Sequence, residues 1–150
     1  MNLKEKINED LKSAMKEGDK TRLTTVRSIR ALILEFEKSG SGKELTAEEE
    51  IKLLSSAAKK RKDSIEQFKN AGRNDLADKE EAELNILMSY LPKQLSGEEI
   101  DIEVKRIGEE INAGSKEDFP RLMPEVMKQL KGKADGKMVK KSVENYLGSK

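Results

Sequence analysis

Residues Ile51 to Leu95 read IKLLSSAAKKRKDSIEQFKNAGRNDLADKEEAELNILMSYLPKQL, and this stretch decides the fold. Ile51, Leu54, Ala58, Ile65 and Phe68 recur at three- and four-residue steps, which places them on one face of a helix. Ala71-Gly72 supplies a left-handed stop, and Asn74 or Asp75 is placed to cap a new helix. That helix carries Ala77, Leu84, Leu87, Met88 and Leu91 inward and must end before Pro92, because a proline drives the preceding residue out of the α region. The prediction is a tight helical hairpin followed by a hard stop.

Two charges interrupt the apolar stripes. Arg61 lies three residues after Ala58 and four before Ile65; Glu80 lies three after Ala77 and four before Leu84. Both sit two to three turns from the bend, so the sequence predicts an Arg61–Glu80 pair across the hairpin. An unpaired charge there would cost several kcal/mol, whereas a paired one roughly breaks even. A register-fixing pair is favoured over an active-site role, for which Ser64 and Glu83 are the nearest additional polar groups.

Outward from the hairpin the pattern stays helical. Asn2 to Glu5 fits a capping box ahead of a stripe of Leu3, Ile7, Leu11, Ala14 and Met15, and Gly18 ends that helix. Asp19 opens a second helix to about Ser39, with Leu23, Val26, Ile29, Leu32, Ile33 and Phe36 inward and Arg22, Arg27 and Arg30 along a flank. Those arginines could form a phosphate strip, but solvated or Glu-paired arginines are more usual. Ser39 to Lys43 reads as a flexible loop without the spacing of a phosphate-binding P-loop. Thr46 opens the third helix, and its Lys59-Lys-Arg-Lys62 run points in four directions, so it reads as a solvated face rather than a nucleic-acid patch.

Beyond Pro92 a second, smaller lobe is expected. Ser96 caps a fifth helix, about 97–112, with Ile100, Val104, Ile107 and Ile111 inward; Ser115 caps a sixth with Phe119, Leu122, Met123, Val126, Met127 and Leu130. Pro124 is interior to that helix and predicts a kink or a broken turn. Asp135 caps the last helix, which bears Met138, Val139, Val143, Tyr146 and Leu147. No stretch alternates with period two, so no sheet is predicted. The fold class is all-α: a four-helix lobe over 1–92 and a three-helix lobe over 96–150.

Composition narrows the chemistry. In 150 residues, 39% are charged and 35% hydrophobic, with no Cys, His or Trp. Without Cys there are no disulfides, thiolate zinc sites or thiol nucleophiles, and without His the commonest general base is missing. No cofactor, metal or catalytic residue is expected. The first residues, MNLKEKINEDLKS, contain no apolar h-region, and no apolar run approaches the length of a membrane span, so a soluble cytoplasmic protein is expected. Net charge is only +1, but it is unevenly spread. Glu98–Asp118 holds eight acids and three bases, and Lys128–Lys141 holds six lysines and one acid.

The basic stretch contains Met127-Lys-Gln-Leu-Lys-Gly-Lys-Ala-Asp-Gly-Lys-Met-Val139. Lys131, Lys133 and Lys137 crowd the junction of two helices, Lys128 precedes them, and Lys140 and Lys141 follow one turn on. N–H groups at the start of the last helix would add positive potential, and such a corner suits a phosphate. Ordinary helix-to-helix punctuation explains the same residues equally well.

This motif resembles the tail domain of the B subunit of the glutamyl/aspartyl-tRNA amidotransferase, where a V-M-K-x-x-K-G-K-A-N-x-K-x-V pattern precedes the final helix. Val126, Met127, Lys128, Lys131, Gly132, Lys133, Ala134, Lys137 and Val139 match, and Asp135 replaces the usual Asn while keeping a capping side chain. Over its whole length the chain resembles the stand-alone YqeY-like family, whose central signature is similar to KKRKDSIEQFKNAGRNDLADKEEAEL followed by YLPKQLS. The resemblance implies an all-helical fold and a contact with tRNA or another structured RNA through the lysine corner. It carries over no catalytic residue, although the amidotransferase is a carbon–nitrogen ligase that uses glutamine. Two alternatives stand beside RNA binding: an auxiliary subunit or enzyme of amide transfer around Arg61 and Glu80, and an adaptor that binds a protein partner. Aromatics for base stacking are scarce, with only Tyr146 near the corner, which disfavours single-strand recognition.

Overall fold

The computed structural model describes residues 1–39 and 44–148, and among them it is all-α. The helices are α1 (Leu3–Glu17), α2 (Lys20–Lys38), α3 (Ala47–Asn70), α4 (Asn74–Met88), α5 (Gly97–Glu110), α6 (Phe119–Gln129) and α7 (Gly136–Gly148), with a 3-10 turn at Lys116–Asp118. The chain divides into two compact units, Met1–Leu91 and Pro92–Lys150. The loop predicted at 39–43 falls, from Gly40 onward, outside the described residues.

In the first unit α1 and α2 form one hairpin, α3 and α4 form another, and α2 packs on α4. Asn2, Asp19 and Thr46 each accept a backbone N–H three residues on, as their sequence contexts require. Gly18 at φ 68° and Gly72 at φ 73° take the left-handed conformation that ends α1 and turns α3 into α4. Leu3, Ile7, Val26, Ile29, Ile33, Leu54, Ala58 and Leu87 form the core, each large side chain contributing roughly 1.5–3 kcal/mol on burial. Met15, expected on the inner stripe, is 58% exposed. The α4 start also differs from expectation. Arg73 occupies the cap position without a side-chain cap, and Asp75 pairs with Arg73 instead (3.1 Å). At its other end α4 stops at Met88, before Leu91 is reached, and the Ser89 hydroxyl donates back to the Ile86 carbonyl.

The second unit packs α5, α6 and α7 around Ile100, Val104, Ile107, Leu122, Val126, Val139 and Val143. Ser96 and Glu99 form a reciprocal capping box at α5, which holds the Glu99 carboxyl below the usual range, chiefly through the Ser96 N–H. α5 ends at Glu110, with Asn112 at φ 55° reversing the chain. Ser115 does not open α6 directly; it opens the 3-10 turn. Asp118 accepts N–H bonds from Gly114 and Ser115 (2.9 and 3.1 Å) and pairs with Arg121. These bonds, the two N–H groups first, lower the Asp118 carboxyl to about 2. α6 then runs unbroken through Pro124, contrary to a broken turn. In the second helical turn a proline forfeits only one bond, to the carbonyl four residues back.

Candidate functional site

The lysine corner is built where α6 ends and α7 begins. The α6 cap Leu130 donates to the Val126 carbonyl, and Gly132 at φ 77° reverses the chain. The preceding linker fixes this reversal: the Leu95 N–H donates to the Lys133 carbonyl (2.7 Å), and the Gln94 amide donates to the Gly132 carbonyl (2.7 Å). The loop backbone is thereby held while its side chains face outward. Lys128, Lys131, Lys133, Lys137, Lys140 and Lys141 are all exposed.

Among the described residues, Lys128, Lys133, Lys140 and Lys141 make no ion pair, while Lys131 and Lys137 have other contacts. Four of the six carboxylates of the acidic helix α5 have hydrogen-bond or ion-pair partners other than these lysines. Glu103 and Glu110 hold Arg106 (2.7 and 3.1 Å), Glu99 accepts the Ser96 N–H, and Asp101 accepts the Ser142 hydroxyl. One expected contribution is smaller than the sequence suggests. The Lys137 N–H at the start of α7 donates to Asp135 Oδ1 (2.8 Å), so the chain's own carboxylate already answers the helix N-terminus. The positive potential rests on the ammonium groups.

Two methionines expected in the core lie beside this corner. Met127 is 39% exposed and Met138 is 44% exposed. The Met127 methyl lies over Gly136, and the Met138 methyl lies over Gly97, each 3.7 Å from where a Cβ would stand.

In the first unit Arg61 reaches Glu80 (3.1 Å), Glu83 (2.6 Å) and the Ser28 hydroxyl (3.2 Å). Three helices thus meet on one guanidinium. The deeper partner is Glu83, whose side chain is 6% exposed against 27% for Glu80. Ser28 in turn donates to the Thr25 carbonyl (2.7 Å). Ser64 makes no hydrogen bond to this group among the described residues. Of the α2 arginines, Arg22 is engaged by Glu17 and Asp10, while Arg27 and Arg30 are exposed. Within Lys59–Lys62, Arg61 turns inward and Lys59 and Lys60 face solvent.

A second polar knot was not anticipated from the residues. Asp10 is 8% exposed and accepts the Tyr90 hydroxyl, with Lys6 at 3.4 Å and Arg22 at 3.6 Å. Burial raises the Tyr90 phenol well above its ordinary value, and the hydrogen bond and charge of Asp10 add to that. The available signal was position: Asp10 lies three residues after Ile7 and four before Ala14, on the α1 stripe. No group of three or more acidic residues among those described could hold a metal ion.

The model of the family described as Yqey-like protein matches residues 4–147. The chain belongs to the Yqey-like family. Similar proteins include the Altered inheritance of mitochondria protein 41, mitochondrial, of Pyrenophora tritici-repentis, 34% identical over 97% of this chain and 81% of that protein. The proteins of the same name from Lachancea thermotolerans and Kluyveromyces lactis are 36% and 34% identical, covering 66% and 87% of this Yqey-like chain. The match spans about half of the Lachancea protein (53%) and 68% of the Kluyveromyces one. These names overturn the expectation of a cytoplasmic location. That expectation rested on a missing apolar h-region, and mitochondrial leaders, which are amphipathic and Arg-rich, need none. Among the described residues no helix is long and apolar enough to cross a membrane.

Proposed function

We propose that this chain is a binding module for tRNA or another structured RNA, with Lys128, Lys131, Lys133, Lys137, Lys140 and Lys141 as its phosphate-contacting face. The observation that carries the reading is the exposure of all six lysines around one fixed loop, four of them (Lys128, Lys133, Lys140 and Lys141) without an ion pair among the described residues. A rigid backbone presenting mobile ammonium groups suits phosphates held at the spacing of a folded RNA, without base readout. The similarity of Val126–Val139 to the amidotransferase tail supports the same assignment. Arg61, Glu80 and Glu83 serve structure in this reading, because the guanidinium is already engaged by two carboxylates and a hydroxyl.

The test is a mobility-shift titration with unfractionated tRNA between about 50 and about 200 mM salt. Binding should weaken with salt. Changing Lys133, Lys140 and Lys141 to Gln should lower the slope of log K against log salt by about 0.9 for each phosphate that is no longer neutralised. No binding at the lower salt, or an unchanged slope in the triple variant, refutes the assignment.

A further inference from the structure

The first unit contains a cleft of about 550 Å³ between α2 and α3. Each of these helices packs on α4, and Leu87 of α4 forms part of the cleft lining. Ile29, Leu32 and Phe36 line one wall, and Leu53 and Ala57 line the other. Leu32, Phe36, Leu53 and Ala57 are only half-buried. The α2 wall runs from Ser28 to Ser39, which at 1.5 Å per residue is about 16 Å, or three helical turns. The bonds from Arg61 to Ser28, Glu80 and Glu83 close one end.

The mouth carries one charge of each sign. Glu35 on α2 and Lys60 on α3 are exposed, line the cleft and form no ion pair among the described residues. Because Arg61 adjoins Ser28, Lys60 lies toward that end, while Glu35 lies two turns further along α2. An occupant must therefore bring an acidic group near the closed end and a basic group further out, over a continuous apolar strip. A small anion or a plain hydrocarbon meets only part of this. A helix with an apolar stripe and an acid and a base about two turns apart meets all of it.

We propose that the α2–α3 cleft takes an amphipathic α-helix from another protein, apolar stripe inward, with its acid facing Lys60 and its base facing Glu35. This surface is separate from the lysine corner and does not depend on the RNA reading.

Two synthetic 16-residue helical peptides test it. Both carry leucines at positions i, i+4, i+7 and i+11; one has a flanking Glu–Lys pair, and its twin has Glu and Lys exchanged. Titration into the whole ¹⁵N-labelled chain should shift resonances of Leu32, Phe36, Leu53 and Ala57 for the preferred peptide. The twin should bind about tenfold more weakly. In a Glu35→Lys/Lys60→Glu double variant, checked for helicity by circular dichroism, the preference should invert. Equal affinity for both peptides, an unchanged preference in the double variant, shifts confined to other residues, or no binding at all would each overturn the proposal. So would concentration-dependent shifts of the same cleft residues without peptide, which would make a second copy of this chain the occupant.

Discussion

Removing Arg61 tests how the first unit holds its register. Arg61→Met keeps the aliphatic length but leaves Glu80 and Glu83 facing each other without the guanidinium that now lies 3.1 and 2.6 Å away. Glu83, at 6% exposure, has little access to water, and Ser28 loses a donor. Breaking a buried pair from one side costs about 3–5 kcal/mol. Arg61 is 17% exposed and Glu80 27%, so the lower end, about 3 kcal/mol, applies here. That is a large share of the 5–15 kcal/mol that typically separates folded from unfolded. In a unit of this size it lowers the melting midpoint by roughly 12–24 °C. The chain has no Trp, so unfolding is best followed by amide resonances of α3 and α4, with α5–α7 resonances as an internal reference. Adding Glu83→Met and Glu80→Gln to Arg61→Met should recover most of the loss, because the stranded charges go with their partner. A loss below about 1 kcal/mol in the single variant, or a further loss in the triple variant, refutes the reasoning.

Three further outcomes follow from the same geometry. Tyr90→Phe removes the hydroxyl bonded to Asp10 while Lys6 and Arg22 remain, and should cost about 1.5–3 kcal/mol in urea unfolding of the first unit. Gly108→Ala places a Cβ 2.5 Å from the Tyr146 ring; it should destabilise the second unit by about 1–3 kcal/mol, and Tyr146→Ala in the same chain should relieve the clash. The Asp118 carboxyl should titrate at about 2 in a carbon-detected NMR series, below the usual 3.8. Because its folded value is depressed, its stabilisation is present above about 4 and is lost as pH falls toward 2. Asp118→Asn should flatten that part of the second unit's pH profile, and an ordinary Asp118 value would contradict the Gly114 and Ser115 bonds.

Periodicity identified which helix faces turn inward, and it flagged Arg61 and Glu80 because both break an apolar stripe. It could not rank Glu83 above Glu80, since depth depends on how closely α3 and α4 approach. For the same reason Met15, Met127 and Met138 belong to stripes yet stand exposed: a face of fixed angular width buries only what the neighbouring helix covers. The Asp10–Tyr90 bond joins residues 80 positions apart, so no local pattern could announce it.

By itself the sequence determined the all-α fold, the helix stops at Gly18 and Gly72, and the caps at Asn2, Asp19, Thr46 and Ser96, because these are decided within a few residues of chain. It also determined the family, through motifs that survive as strings of residues. Only tertiary structure decided that Arg61 would gather two carboxylates and a hydroxyl, that Asp10 would meet Tyr90, and that α2 and α3 would leave a cleft between them. Each of those depends on distances between helices, which no residue encodes alone.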